Sequence, residues 1–184
     1  MRRTFAMPRL STSRLSLIPM TLPMLEAVVG NQRAVAERLV QAVFPDEWPG
    51  EDLIARAFPY SLAAIRADPE RRLWGDSLVV RPGAAGRPAR VVGSVIFHGR
   101  PDDGVAEVGY GVEQDSRGQG VATEATVACV EWALQEPGIR AVQATTFPWH
   151  LASLAVIRKL RMELMTTREH DTLGELLVFE RRRG

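Results

Sequence analysis

The sequence predicts an α+β domain: one mixed central sheet, with an antiparallel meander towards its N-terminal half and helices on both faces. Three observations carry this. Two β-rich runs, Leu73 to Val80 and Val91 to His98, flank the turn-forming string Pro82-Gly-Ala-Ala-Gly-Arg-Pro88, and a third run, Val105 to Glu113, follows the turn Pro101-Asp-Asp-Gly104. Helical spacing of apolar residues precedes this block, and helices alternate with further strands after it. The chain has 184 residues, 46% hydrophobic and 24% charged, with no Gly/Ser-rich linker and no internal repeat, which suits one compact domain.

Taken in order, residues 1–8 are expected to form an N-terminal tail and residues 9–184 the domain. Arg14 to Met20 alternates as a first strand, with Pro19 favouring its end or a sheet edge. Thr21 to Phe44 reads as two helical segments, with Leu25, Val28, Val29, Val35, Leu39 and Val43 at helical spacing and a break at Gly30-Asn31. A loop carrying Phe44 and Trp48 leads to a helix from Asp52 to Ala67, closed by Asp68-Pro69. After the meander come a glycine turn, a helix from about Gln119 to Gln135, a strand from Arg140 to Thr146 and a helix from about Leu151 to Leu160. Strands near Glu163 to Arg168 and Glu175 to Arg182 complete the chain.

Composition excludes several functions. The net charge is +1, from 23 basic and 22 acidic residues, without the basic excess of a nucleic-acid binder. Lys159 is the only lysine and has no glycine near it, which removes the phosphate loop and the protein-kinase signature. One cysteine, Cys129, forms neither an intrachain disulfide nor a multi-thiolate zinc site, and His98, His150 and His170 lack metal-ligand spacing, so no metal is expected. The apolar stretch from Leu15 to Leu25 is interrupted by Pro19 and Pro23 and has no convincing cleavage site after it. The longest run without a charge, Ala141 to Ile157, has 17 residues and carries Gln, Thr, Pro, His and Ser, whereas a spanning helix needs about 20 mostly apolar residues. A cytoplasmic protein with no membrane partner is expected.

The most informative segment is the one from Glu107 to Ala125. A strand runs into Arg117-Gly118-Gln119-Gly120 and a helix begins at once, its sheet-facing side marked by Val121, Ala125, Ala128 and Trp132. The first helical turn has N–H groups without intrahelical partners and lies at the positive end of the helix dipole. Glycines at 118 and 120 remove side chains that would hold an anion away, so the turn is either a phosphate cradle or a plain tight turn needing φ > 0. A dinucleotide fingerprint fits less well, because Thr123 stands at the third glycine position and the motif follows several strands.

These residues resemble the GCN5-related N-acetyltransferases (GNAT), within them the branch of ribosomal-protein-alanine acetyltransferases of RimJ/RimL type. Asp115-Ser-Arg117-Gly118-Gln119-Gly120 fits the glycines of the family's [QR]-x-x-G-x-[GA] motif, and Gly118 to Ala125 is similar to the branch's continuation. Glu107-Val-Gly-Tyr110 is similar to the strand before it, and His150-Leu-Ala-Ser153 through Lys159-Leu160-Arg-Met162 resembles the downstream N-x-x-S-x-x-[VL]-x-x-K-[LA]-G-[FM] pattern. The likeness spans roughly Arg9 to Arg182, with Asp115, His150 and Arg161 standing where Gln or Arg, Asn and Gly are usual. It implies acetyl-CoA as co-substrate, held by Tyr110, Gly111, Val112, Arg117, Gly118, Gln119, Gly120, Val121, Ala122, Thr123, His150 and Ser153. It also implies acetyl transfer to a primary amine, on a protein N-terminus or a small molecule, by a monomer or homodimer.

The chemistry needs a base for the ammonium, a donor for the developing oxyanion and a proton for the leaving thiolate. Alternation puts Glu107, Gly109, Gly111 and Glu113 on one strand face, so Glu107 is either the base beside a glycine trench or a solvated edge residue. The resemblance implies that the stretch from Tyr110 to Val112 supplies the oxyanion amide. The tyrosine that many family members carry on the penultimate helix is missing, since the chain has only Tyr60 and Tyr110. Ser153 is then either the proton donor or a helix cap, and His150 either a cofactor contact or a packed side chain. Without a second thiol, and with Cys129 read as core, direct transfer in a ternary complex is expected. The competing expectations are a non-catalytic acyl-CoA-binding module and a nucleotide- or NAD-binding enzyme.

Overall fold

The computed structural model describes residues 7–46, 62–172 and 174–184. An antiparallel sheet orders its strands β1 (Leu10–Ser11), β2 (Ser16–Pro19), β3 (Ser77–Arg81), β4 (Arg90–Ile96) and β6 (Gly109–Val112). A second sheet orders β5 (Val105–Glu107), β7 (Ala141–Thr146), β9 (Gly174–Arg182) and β8 (Glu163–His170), with β5 and β7 parallel and the rest antiparallel. The helices are α1 (Leu22–Val29), α2 (Arg33–Val40), α3 (Pro69–Arg72), α4 (Val121–Gln135) and α5 (Leu151–Lys159).

The α+β order and the meander follow the expectation; the third strand departs from it. Val105 to Glu113 divides at Val108 into β5 and β6, which belong to different sheets, so the mixed sheet is split in two. The run from Leu73 is a strand only from Ser77, because Leu73 to Asp76 turns through Gly75 at φ 78°. Asp68-Pro69 ends the helical stretch at 62–67, and Asp68 then caps α3 by accepting the Arg71 N–H. The expected start of that helix at Asp52, together with Trp48 and Tyr60, lies outside the described residues.

Alternation along β3 builds two core layers, one on each sheet face. Leu78 and Val80 pack with Ala27, Ala36 and Val40 of α1 and α2 and with Val91, whereas Val79 packs with Leu17, Val92, Val95 and the buried face of α4. Thr21 starts α1 by accepting the Met24 N–H, and Gly30 and Asn31 break it before α2, as the spacing predicts. Met7, inside the segment expected as a tail, is buried in the α4-side core, so packing reaches back at least that far.

Gly93 lets β4 approach β6. A Cβ there would lie 2.2 Å from the Gly111 carbonyl oxygen and 3.2 Å from the Val112 Cα, both main chain. The pairing of β3 with β4 also shifts register beside this residue. Gly93→Ala is therefore expected to push β6 away from β4 and to destabilise the fold by about 1–3 kcal/mol, the usual scale for overpacking. Urea denaturation checks this, and unchanged stability would show that the strands separate freely.

Beneath the sheet, Trp74 packs edge-on against Phe97 at 5.4 Å and lies 5.0 Å from Trp132. Asp76 is buried beside this cluster, accepting the Phe97 N–H at 2.7 Å. Burial raises its carboxyl to about 7, against the lowering effect of that hydrogen bond. An acid whose folded value is raised stabilises the fold at low pH, and that contribution is lost as pH rises through the folded value. Asp76→Asn keeps an acceptor for Phe97 without the charge. It should gain on the order of 1 kcal/mol over the parent at pH 8, with the gap shrinking towards pH 4. Melting curves at the two pH values measure it.

Candidate functional site

The site begins where one strand changes partners. β5 pairs with β7 as far as Glu107 opposite Gln143, and the Val108 N–H makes one more bond to the Gln143 carbonyl. Beyond Val108 the strand continues as β6, paired with β4 alone, and β7 diverges. The Glu113 N–H donates to the Val92 carbonyl, and antiparallel alternation then turns the Gly111 amide towards β4 and the Tyr110 and Val112 amides towards the opening. Of the predicted stretch, Tyr110 and Val112 therefore offer the free N–H groups. Arg117 Nε donates to the Val112 carbonyl at 3.1 Å, tying the turn back to this edge.

β6 feeds a short 3₁₀ turn at Gln114–Ser116, which Glu113 caps by accepting the Asp115 N–H at 3.0 Å and the Ser116 hydroxyl at 2.5 Å. The Glu113 carboxylate is thus buried and engaged in holding the turn, with Arg90 Nε 3.9 Å away. Gly118 and Gly120 follow at φ 71° and 78°, the left-handed conformation that favours glycine. A Cβ at Gly118 or at Gly111 would meet nothing within 4 Å, so both mark space against the backbone. Gly120 is the N-cap of α4 and supplies no side-chain bond, and the first intrahelical bond runs from the Glu124 N–H to the Gly120 carbonyl. The Val121, Ala122 and Thr123 amides consequently have no intrahelical partner. A cradle of free amides at the positive end of a 15-residue helix suits a phosphate or pyrophosphate.

Two arginines that the sequence left unremarked surround this turn. Arg14, from the turn before β2, donates to the Gln119 carbonyl at 3.1 Å and pairs with Glu124 at 2.6 Å. Glu124 also accepts from the Thr12 hydroxyl at 2.5 Å, fastening the β1–β2 turn to the first turn of α4. Burial alone would raise the Glu124 carboxyl, but the Thr12 and Arg14 hydrogen bonds and the Arg14 charge hold it below its ordinary value. Arg81, at the end of β3, donates to Gln119 Oε1 at 3.0 Å, while Gln119 Nε2 donates to the Asp115 carbonyl at 2.7 Å. The Gln119 side chain therefore stiffens the loop, and Arg14, Arg81 and Arg117 set positive charge around it.

At the opposite end of the opening, Glu107 is half-buried and accepts the Thr145 hydroxyl of β7 at 2.9 Å. The His98 ring, from a residue held at φ 54°, stands with Nε2 3.5 Å from where a Gly109 Cβ would be. It borders the same face as Glu107 and has no motif that could have announced it. Across the opening, Tyr110 OH lies 3.0 Å from Ser153 Oγ and 3.2 Å from the Ser153 carbonyl. Ser153 is buried in the first turn of α5, whose N-cap is His150; its hydroxyl pairs with Tyr110. His150 makes no side-chain cap bond and is exposed beside Trp149. Trp149, 65% exposed, stacks on Phe147 at 5.1 Å, and His170 meets Phe147 edge-on at 5.7 Å, which makes the surface beside His150 aromatic.

Arg161, where the resembled pattern has glycine, adopts φ 56° and so takes the glycine-like conformation despite its side chain. Cys129 is buried in α4, where burial first and the Asp76 charge second push its thiol up to about 12, which leaves it inert as a nucleophile. No helix among the described residues is long and apolar enough to cross a membrane.

Comparison with known proteins places this geometry. Residues 14–163 match the Acetyltransferase (GNAT) domain. An uncharacterized N-acetyltransferase of Bacillus subtilis, YjdG, is 25% identical over 152 residues, covering 82% of this chain and 87% of that protein. Among solved structures, a putative GNAT-family acetyltransferase from Bordetella pertussis superposes with a TM-score of 0.66 at 22% identity, covering 95% of this chain and 99% of the other. Mycobacterium smegmatis RimJ, solved with CoA-disulfide, does so with a TM-score of 0.61 at 18% identity, over 91% of this chain and 81% of that one. With the domain matched over most of its length, the chain belongs to the GNAT family of N-acetyltransferases.

Proposed function

We propose that the protein transfers the acetyl group of acetyl-CoA directly to a primary amine, on a protein N-terminus or a small molecule, within a ternary complex. The observation that carries this reading is the continuity of one open edge. The free Tyr110 and Val112 amides lead along β6 to the unfilled glycines and the uncapped start of α4. An extended amide-bearing arm can pair with such an edge while its pyrophosphate rests on the amides from Gly118 to Thr123. Acetyl-CoA, when bound, supplies an activated thioester.

The remaining tasks fall to this chain's own groups. Tyr110 N–H, facing the opening, suits the negative charge that develops on the carbonyl oxygen. Glu107, oriented by Thr145, takes the proton of the attacking ammonium directly or through water. Ser153 Oγ, at the start of α5, protonates the departing sulfur. His150 and Arg117 contribute contacts at the two ends of the bound arm. A covalent acetyl-enzyme has no accessible thiol to form on, because the single cysteine, Cys129, is buried.

Gly120→Val combines a forbidden φ with a branched side chain at the head of α4 and should abolish acetyl-CoA binding in a folded protein. Calorimetry with acetyl-CoA checks this, and retained affinity would remove the pyrophosphate assignment. Glu107→Gln should lower kcat by about 10²-fold while acetyl-CoA still binds, the scale of a lost general base. Release of the CoA thiol across a panel of α-amino peptides, lysine derivatives and small amines supplies the assay. Tight acetyl-CoA binding with no thiol release from any amine would instead make the chain a non-catalytic acyl-CoA module.

A further inference from the structure

Tyr110 stands on β6 and Ser153 on α5, the two elements that flank the opening, and their hydroxyls are 3.0 Å apart. The serine hydroxyl is buried and is not spent on capping, since His150 is the N-cap of α5. Between them the two groups carry two hydrogens. In one arrangement Tyr110 donates to the Ser153 carbonyl, 3.2 Å away, and accepts the serine hydrogen, which is then unavailable to a ligand. In the other, Tyr110 donates to Ser153 Oγ and the serine hydrogen is free to point into the opening. Phenol is a stronger acid than a serine hydroxyl, so the second arrangement is favoured as Ser153 Oγ begins to give up its proton.

We propose that Tyr110 is a positioning residue for acetyl transfer: by donating to Ser153 Oγ it turns the serine hydrogen towards the leaving sulfur and relays a proton through it. The inference rests on the reading of Ser153 as the proton donor. The carbon–sulfur bond breaks with its electron pair on sulfur, and the Ser153 proton passes to that sulfur. The Tyr110 proton passes to Ser153 Oγ, and the tyrosinate is reprotonated by water. Burial raises the Tyr110 hydroxyl above its ordinary value, and the Ser153 hydrogen bond only partly offsets this, so the group holds its proton through neutral pH. Tyr110 thus brings a phenol to α5 from the facing strand β6.

The test compares Tyr110→Phe, Ser153→Ala and the double variant, by thiol release from acetyl-CoA with the best amine of the panel. Melting temperature and the Kd for acetyl-CoA serve as folding controls. Ser153→Ala should lower kcat by about 10²-fold and Tyr110→Phe by about 10-fold, each with little change in KM for acetyl-CoA. The double variant should be no slower than Ser153→Ala, because the tyrosine acts only through the serine. A second readout needs no acceptor. In Tyr110→Phe the Kd for free CoA, relative to acetyl-CoA, should lose the tightening that thiolate formation gives the parent between pH 7 and pH 9. Full kcat in Ser153→Ala overturns the proton-donor reading and the relay with it. Loss in Ser153→Ala with full kcat in Tyr110→Phe, or multiplicative effects in the double variant, overturns the relay alone.

Discussion

Val108 is the point on which the site turns. Up to this residue the strand is held on its β7 side by parallel pairing, and after it the same backbone is held only on its β4 side. Unpaired main-chain N–H groups between two sheets are costly unless a partner or water satisfies them. Tyr110 and Val112 carry such groups because β7 turns away. The divergence creates the opening, and β6 runs from it straight into the glycine turn, so one continuous stretch of chain offers both an unpaired edge and a cradle of helix amides. Gly93 belongs to the same constraint: β6 can lean away from β7 only because β4 carries no side chain where the Gly111 carbonyl approaches.

Rigidity at the turn comes from residues distant in sequence. The Thr12, Arg14 and Glu124 cluster joins the β1–β2 turn to α4, and Arg81 holds Gln119 from the end of β3. Exposed ion pairs of this kind contribute little stability singly, about 0–1 kcal/mol. Their role here is geometric, since they fix the amides from Gly118 to Thr123 before any ligand arrives. A preorganised cradle loses less conformational freedom on binding than a loop that must first be ordered.

How far the sequence reveals this arrangement depends on the range of each contact. The break at Gly30-Asn31, the hairpin through Pro82 to Pro88 and the left-handed glycines at 118 and 120 are local matters, and spacing and residue type suffice to read them. The division at Val108 is invisible locally, because apolar alternation runs unbroken from Val105 to Val112 and only the path of β7 decides the pairing. The partnership of Tyr110 with Ser153 spans 43 residues and that of Arg14 with Glu124 spans 110, so no motif could announce either. Arg161 shows the converse: it stands where the resembled pattern has glycine, and the backbone there still takes the left-handed conformation, at φ 56°.

The two ends of the opening work by different physics. At the turn, exposed arginines and helix amides offer positive potential that water and salt screen, which suits a strongly hydrated phosphate. At the other end the Tyr110 hydroxyl is partly buried and the Ser153 hydroxyl buried, with Glu107 held by a neutral threonine, so short-range hydrogen bonds outweigh long-range charge. Under the proposed reaction, binding strength is carried mainly by the remote phosphate end, and the hydroxyls and the carboxylate act where charge changes. A net charge of +1 is compatible with this local bias, because Arg14, Arg81 and Arg117 stand around the glycine turn without any overall basic excess.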